Sequence, residues 1–235
     1  MTAQPIVIFG GFLSFPSAYE GMRATLQKLS GQRVEIVPAY THEWLTTVVP
    51  AGWALLLRKL EAIVRTAARR SATGKVTVIG HSSGGVMARL YLGSEPFEGH
   101  RFNGREFVDT LITLGSPHYN HTGGYNRRRV EQWYPGAYFA PDVRYISVVG
   151  RVRQGKRNGT FGERMLFSSY ARQGGKGDSW GDGLVPFESA LLAGSQHIIV
   201  EGANHYGLRG GAWYGTPHII ETWWPLTLDA YRPAR

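Results

Sequence analysis

Residues 75–85, Lys-Val-Thr-Val-Ile-Gly-His-Ser-Ser-Gly-Gly, constrain this chain more than any other stretch. An apolar, β-branched run (Val76, Val78, Ile79) stops at Gly80-His81-Ser82-Ser83-Gly84, and a helical pattern follows through Met87, Leu90 and Tyr91. A strand that turns sharply into a helix at Gly-x-Ser-x-Gly is a nucleophile elbow. The glycines remove Cβ atoms where strand and helix meet, so Ser82 can hold a strained backbone with its hydroxyl exposed. With 31 glycines among 235 residues, the five-residue pattern alone carries little weight, and its strand and helix context must carry it. The competing reading is a glycine-rich loop in which Ser82 only caps a helix.

Around this elbow, short β-branched runs alternate with helical stretches. Strands are predicted at Ile6–Phe9, Val34–Val37, Val76–Ile79, Phe107–Leu114, Val143–Val149 and His197–Val200. Most are continuous apolar runs, as expected of strands buried on both faces. Helices are predicted at Ser17–Leu29, Ala51–Ala68, Ser83–Leu92 and Pro217–Tyr231, the last kinked or divided at Pro225. Such alternation implies an α/β fold, a doubly wound, mostly parallel sheet of about six strands. Segments 118–142 and 150–183 fit neither period and read as insertions above the sheet. The expectation is one domain over residues 1–235, with a cap or lid at about 118–180.

A chain that is 43% hydrophobic and of this length can bury one continuous core. Cysteine is absent, which excludes disulfides and thiolate metal sites. No metal-ligand spacing is apparent, and the chemistry of an activated serine calls for no cofactor. No charged leader precedes a long apolar stretch and no window approaches a membrane span, so the expectation is a cytoplasmic protein, with peripheral contact to an anionic membrane surface left open. Of the net charge of +9, residues 120–180 supply +7, from eleven Lys/Arg against four Asp/Glu. Such a patch attracts phosphates, and the alternative is a solvated loop surface. It carries no recognisable nucleic-acid motif, so a nucleic-acid partner is not expected.

Serine is a poor nucleophile until a base takes its proton and a third group holds that base. On an elbow of this kind the acid and then the histidine follow the serine along the chain. His42, His100, His118 and His121 come too early for that order, His81 lies inside the elbow, His197 opens a strand and His218 sits in the last helix. His205, in Glu-Gly-Ala-Asn-His-Tyr-Gly just past the last strand, remains. For the acid, Asp182 stands in Gly-Asp-Gly-Leu-Val-Pro, where glycines permit a tight turn, with Asp178 as competitor and Asp109 on the wrong side of the order. An oxyanion hole would come from the backbone N–H of Ser83 and of Phe12, in the loop Phe9-Gly10-Gly11-Phe12-Leu13-Ser14. Gly11 and Leu13 are the accompanying substrate-binding candidates. That loop is not a dinucleotide fingerprint, because it lacks Gly-x-Gly-x-x-Gly.

Four segments in this order resemble α/β-hydrolase lipases and esterases. They are Gly10-Gly11-Phe12-Leu13-Ser14, Gly-His-Ser-Ser-Gly-Gly with Met87-Ala88-Arg89-Leu90-Tyr91, Thr113-Leu114-Gly115-Ser116-Pro117-His118, and Gly-Asp182-Gly-Leu-Val-Pro. More narrowly, they are similar to small lipases related to the GPI inositol-deacylase family, including cyanobacterial and plastid forms. The resemblance implies a serine carboxyl-ester hydrolase with Ser82, Asp182 and His205 as its triad, acting on an ester or lipid, and a minimal sheet lacking the first two strands of larger members. Where many lipases carry His-Gly before the oxyanion residue, this chain has Gly10-Gly11. Amidase, thioesterase or acyltransferase chemistry on the same triad, or a non-catalytic basic binder on this scaffold, stay open as alternatives.

Overall fold

The computed structural model describes residues 4–119, 124–207 and 211–229. Six strands form one sheet: β1 (Ile6–Phe9), β2 (Val34–Ile36), β3 (Val76–His81), β4 (Val108–Leu114), β5 (Arg144–Arg151) and, last, β8 (Gln196–Glu201). Their order is β2-β1-β3-β4-β5-β8, and every neighbouring pair is parallel. A two-residue ribbon, β6 (Arg153–Gln154) against β7 (Trp180–Gly181), stands apart and is antiparallel.

The four central strands are buried on both faces, which explains why they lack a regular polar alternation, whereas the edge strand β8 alternates buried and exposed residues. Ile6 and Ile8 of β1 join Ile112, Ile146 and Ile198 on one face, under α1 (Glu20–Ser30) and α8 (Pro217–Asp229). Val7 and Phe9 point the other way, into a cluster with α3 (Pro50–Ala68) and α4 (Ser83–Leu92). Pro50 opens α3 at its first turn, where a missing N–H costs nothing. Gly31 closes α1 at φ 67°, the left-handed region glycine tolerates best.

All six strands lie where the sequence predicts them, within two residues at each end. The insertions contain more structure than their weak periodicity suggested. Segment 118–142 holds α5 (Tyr125–Trp133), and segment 150–183 holds the ribbon and α6 (Phe161–Arg172). The predicted division of the last helix at Pro225 does not occur, because α8 runs unbroken through it. Pro225 and Glu221, whose carbonyl loses its usual partner, are both on the exposed side, where water can take the vacated bond. The predicted end of that helix at Tyr231, like His121, lies outside the described residues. Two short helices, α2 (Thr41–Leu45) and α7 (Phe187–Ala190), lie outside these layers' main helices.

The strand order sets the position of the site. From β1 the chain steps outward to β2, then returns to lay β3 on the other side of β1. Loops leaving β1 and β3 therefore diverge and open a crevice at the strands' carboxyl ends. The Phe12 loop and Ser82 border that crevice.

Candidate active site

Ser82 follows β3 directly, at φ 52° and ψ −124°, a region that costs a non-glycine residue about 1–3 kcal/mol. Packing holds it there. A Cβ on Gly80 would lie 2.4 Å from Gly85 Cα, and one on Gly84 would lie 2.2 Å from the Gly10 carbonyl oxygen. The Ser82 N–H donates to the Leu114 carbonyl at 2.9 Å, tying the elbow to the end of β4.

The loop after β8 brings His205 over this elbow. Its Nε2 is 2.9 Å from Ser82 Oγ, and its Nδ1 is 2.7 Å from Asp182 Oδ2. A carboxylate only accepts, so Nδ1–H donates to Asp182 and Nε2 is left to accept the serine proton. Both oxygens of buried Asp182 are fully used. Oδ1 accepts the N–H groups of Leu184 (3.0 Å) and Val185 (2.8 Å), and Oδ2 also accepts the Tyr214 hydroxyl at 2.8 Å. The competing acids lie elsewhere. Asp178 is exposed, and Asp109 is bound to Gln4 near the amino end of β4.

The Phe12 loop passes against the elbow closely enough that a Cβ on Gly11 would lie 2.7 Å from Ser82 Cβ. Among the described residues, the N–H groups of Phe12 and Ser83 donate to no protein acceptor. Leu13 takes a turn conformation at φ 61° with an exposed side chain, while Phe12 lines the crevice.

Three comparisons bear on this geometry. Residues 52–131, about a third of the chain and including the elbow, match the PGAP1-like alpha/beta domain. The structure of Est1E from Butyrivibrio proteoclasticus with ferulic acid bound superposes with a TM-score of 0.56 at 14% identity, over 97% of this chain and 89% of that one. Tomato methylketone synthase I, complexed with 2-tridecanone, gives 0.52 at 11% identity over 99% and 100%. The chain has the α/β-hydrolase fold. MGS-MChE2, an alpha/beta hydrolase enzyme from lagoon-sediment metagenome of Mar Chica, Morocco, gives 0.51 at 14% identity over 96% and 92%. No curated protein matches the chain in sequence.

On this hydrolase fold, several side chains that sequence reasoning missed hold the site together. The Gly11 N–H donates to the Tyr19 hydroxyl (2.9 Å), which contacts His81 Nδ1 (2.8 Å), while His81 Nε2 contacts the His205 carbonyl (3.1 Å). A carbonyl only accepts, so the proton sits on Nε2 and Tyr19 donates to Nδ1. The Phe12 loop and the His205 loop are thus joined through the elbow's own histidine. Tyr214 links Asp182 to β5 by accepting the Gly150 N–H at 2.8 Å. Burial, and then the Asp182 charge, push the Tyr214 phenol well above its usual range, so it remains a donor. Burial also pushes up the Tyr206 phenol, which lines the crevice beside Ser82. Among the described residues no helix is long and apolar enough to cross a membrane, and no cluster of three acids or histidines could hold a metal.

Burial, with the neighbouring His205, holds His81 well below the usual histidine range, and burial with Arg89 and Arg127 does the same for His118. Each folded-state value lies under the unfolded value of about 6.5. Above that pH neither state takes the proton. Below it the unfolded chain does and the folded chain does not, so stability falls at about 1.4 kcal/mol per pH unit per ring. Urea denaturation at pH 7.5 and 5.5 should therefore show a loss of about 3 kcal/mol from the two rings together. Asn in place of His118 should remove about half of that dependence. Equal stabilities at the two pH values would mean that the rings protonate within the fold.

Proposed function

We propose that this chain is a serine hydrolase that cleaves carboxyl esters through an acyl-enzyme. The reading rests on one observation, the unbroken run of hydrogen bonds from Ser82 through His205 to Asp182 at the carboxyl ends of the strands. Ser82 Oγ attacks the ester carbonyl as its proton passes to His205 Nε2, and Asp182 steadies the resulting imidazolium. The oxyanion takes the free N–H groups of Phe12 and Ser83. His205 then protonates the departing alcohol, and water attacks the acyl-enzyme by the same route in reverse.

A cavity of about 540 Å3 opens beside Ser82, lined by Trp44, Trp53, Met87 and Val185, and this apolar wall suits an acyl chain. Phe12, Val48, Tyr125 and Leu184 line it and are also exposed, Val48 at 83%, so the mouth has an apolar rim. An apolar rim favours lipid over a freely dissolved ester. Tyr125, Asn126 and Arg127 of α5 and Gln173 after α6 complete the wall, which is why we assign segment 118–180 the role of a cap. Est1E holds ferulic acid, an aromatic carboxylic acid, and methylketone synthase I holds 2-tridecanone, a long-chain ketone.

A fluorophosphonate probe should label the protein once, and 4-nitrophenyl esters should be hydrolysed with a preference for medium over acetyl chains. Absence of both labelling and hydrolysis would refute the reading.

The basic segment contributes a milder expectation. Arg151 is paired with Glu201 and Lys156 with Glu163, so part of its charge is neutralised locally. Arg128 is exposed, and Arg129 stacks over Tyr125 (4.3 Å) and Trp133 (4.8 Å) near the mouth. Each cation near an anionic bilayer contributes about 1 kcal/mol and is screened beyond about 10 Å at 0.1 M salt. Lipid hydrolysis in anionic vesicles should therefore drop about fivefold as salt rises from about 0.05 to 0.5 M, with a soluble ester nearly unaffected. Parallel responses of the two substrates would remove the case for docking on an acidic surface.

A further inference from the structure

Arg127 belongs to the basic run 127–129, yet its guanidinium turns inward. Nη2 donates to Ser83 Oγ at 2.7 Å and Nη1 to the Pro117 carbonyl at 3.2 Å, both neutral acceptors. Arg127 lines the same cavity as Ser82. Among the described residues no carboxylate lies within ion-pair distance of it, and the preceding segment 120–123, Asn-His-Thr-Gly, contains no acid. By contrast Arg89, fully buried where Arg127 is half-buried, is paired with Glu131 at 3.1 Å. Taking a guanidinium out of water without a counter-charge is unfavourable unless an anion later joins it.

A second observation points to the same place. Asn126, the neighbour of Arg127 on α5, is only 6% exposed and lines the cavity, and among the described residues its Oδ1 has no hydrogen-bond partner. The two ends of a side-chain amide exchange by a half turn, so this position can offer either an acceptor or an NH2 donor to a ligand. The guanidinium fork has five N–H donors, more than its two contacts among the described residues use.

We propose that Arg127, assisted by Asn126, binds an anionic group of the substrate, a carboxylate or phosphate on an ester whose reacting carbonyl rests at Ser82. This rests on the ester-hydrolase reading above and adds to it the charge class of the substrate. The apolar wall of Trp44, Trp53 and Met87 takes the chain, and the cationic wall takes the charged end. Burial lowers the Arg127 pKa only to about 10, so the group stays charged at neutral pH. Arg127 also braces Ser83, one of the two oxyanion donors, so an anion seated on it would lie close to the reacting atoms.

The test compares kcat/KM within two dispersed pairs, each matched except for the charge. The carboxylate pair is 4-nitrophenyl hydrogen glutarate against 4-nitrophenyl pentanoate, and the phosphate pair is dihexanoyl phosphatidate against dihexanoylglycerol. The protein should favour the anionic member of at least one pair about tenfold, mainly through KM, and the responding pair identifies the anion. Arg127→Gln should lower that ratio about tenfold, and Arg127→Lys should recover part of it. Because both members of a pair share the same folded fraction, the ratio is unaffected by partial unfolding. A neutral preference in both pairs, or a ratio unchanged in Arg127→Gln, would overturn the proposal. If no ester is cleaved, the hydrolase reading fails on its own. The subsite is then decided by calorimetry with hexylphosphonate and hexanoate, whose binding should vanish in Arg127→Gln, and absence of binding to the unmutated protein would overturn it.

Discussion

Ser82→Ala should lose about 10⁴- to 10⁶-fold in ester hydrolysis and all fluorophosphonate labelling, with unchanged thermal stability or a slightly higher one. The first effect follows because, among the described residues, the Ser82 hydroxyl is the one hydrogen-bonded to His205 Nε2, at 2.9 Å. The second follows because the substitution removes one hydroxyl and leaves the φ 52° backbone held by the Gly80, Gly84 and Leu114 contacts. What remains would come from the Phe12 and Ser83 N–H groups and from substrate binding alone. A Ser82→Ala protein that keeps its hydrolysis would mean that the chemistry lies elsewhere.

Asp182→Asn should cost about 10⁴-fold, although it changes a single atom. The Leu184 and Val185 N–H groups donate to Oδ1, so the amide oxygen of Asn must stay on that side. The new NH2 group then faces His205 Nδ1, where a carboxylate oxygen had accepted a hydrogen bond from Nδ1–H. His205 is driven to the other tautomer, with its proton on Nε2, and can no longer accept from Ser82. The Tyr214 hydroxyl loses its acceptor in the same step. Asp178→Asn, at an exposed position, should stay within about twofold of the unmutated rate. Steady-state kinetics on a soluble ester checks both, with the pH profile of the Asn variant reporting the tautomer change. The reverse ranking would make Asp178 the orienting acid.

How legible each element was depended on where its burial comes from. Strands β1, β3 and β4 sit between two helical layers, so Ile6–Phe9, Val76, Val78, Ile79, Leu111, Ile112 and Leu114 are apolar and the runs are visible without any tertiary knowledge. Helix α5 has only Asn126 and Val130 buried, and α6 only Tyr170, so no apolar stripe marks either one. One signal for α6 was nevertheless present. Thr160 and Glu163 form a capping box, with the Thr160 side chain accepting from the Glu163 N–H, and this threonine-x-x-glutamate spacing is readable in the chain. Pro225 misled in the opposite sense, because the rule against proline inside helices weakens where water can reach the orphaned carbonyl.

Ser82, Asp182 and His205 were legible because each is introduced by a local backbone device: an elbow between a strand and a helix, a glycine-flanked turn, and a loop just past a strand. Chain order then left little choice among eight histidines. The supporting side chains were not legible. Tyr19 meets His81 across 62 residues, Tyr214 meets Asp182 across 32, and Arg127 meets Ser83 across 44. No local pattern marks such partners, because what selects them is the packing of loops from different strand ends around one crevice. The same reason explains Arg127, which looks in sequence like one more solvated cation in a basic run. Local backbone chemistry determined which residues form the elbow and in what order its partners follow. Only the tertiary structure decided which donors saturate Asp182, how His81 braces His205, and that Arg127 meets Ser83 in the cavity beside Ser82, because burial and distance are properties of the packed chain.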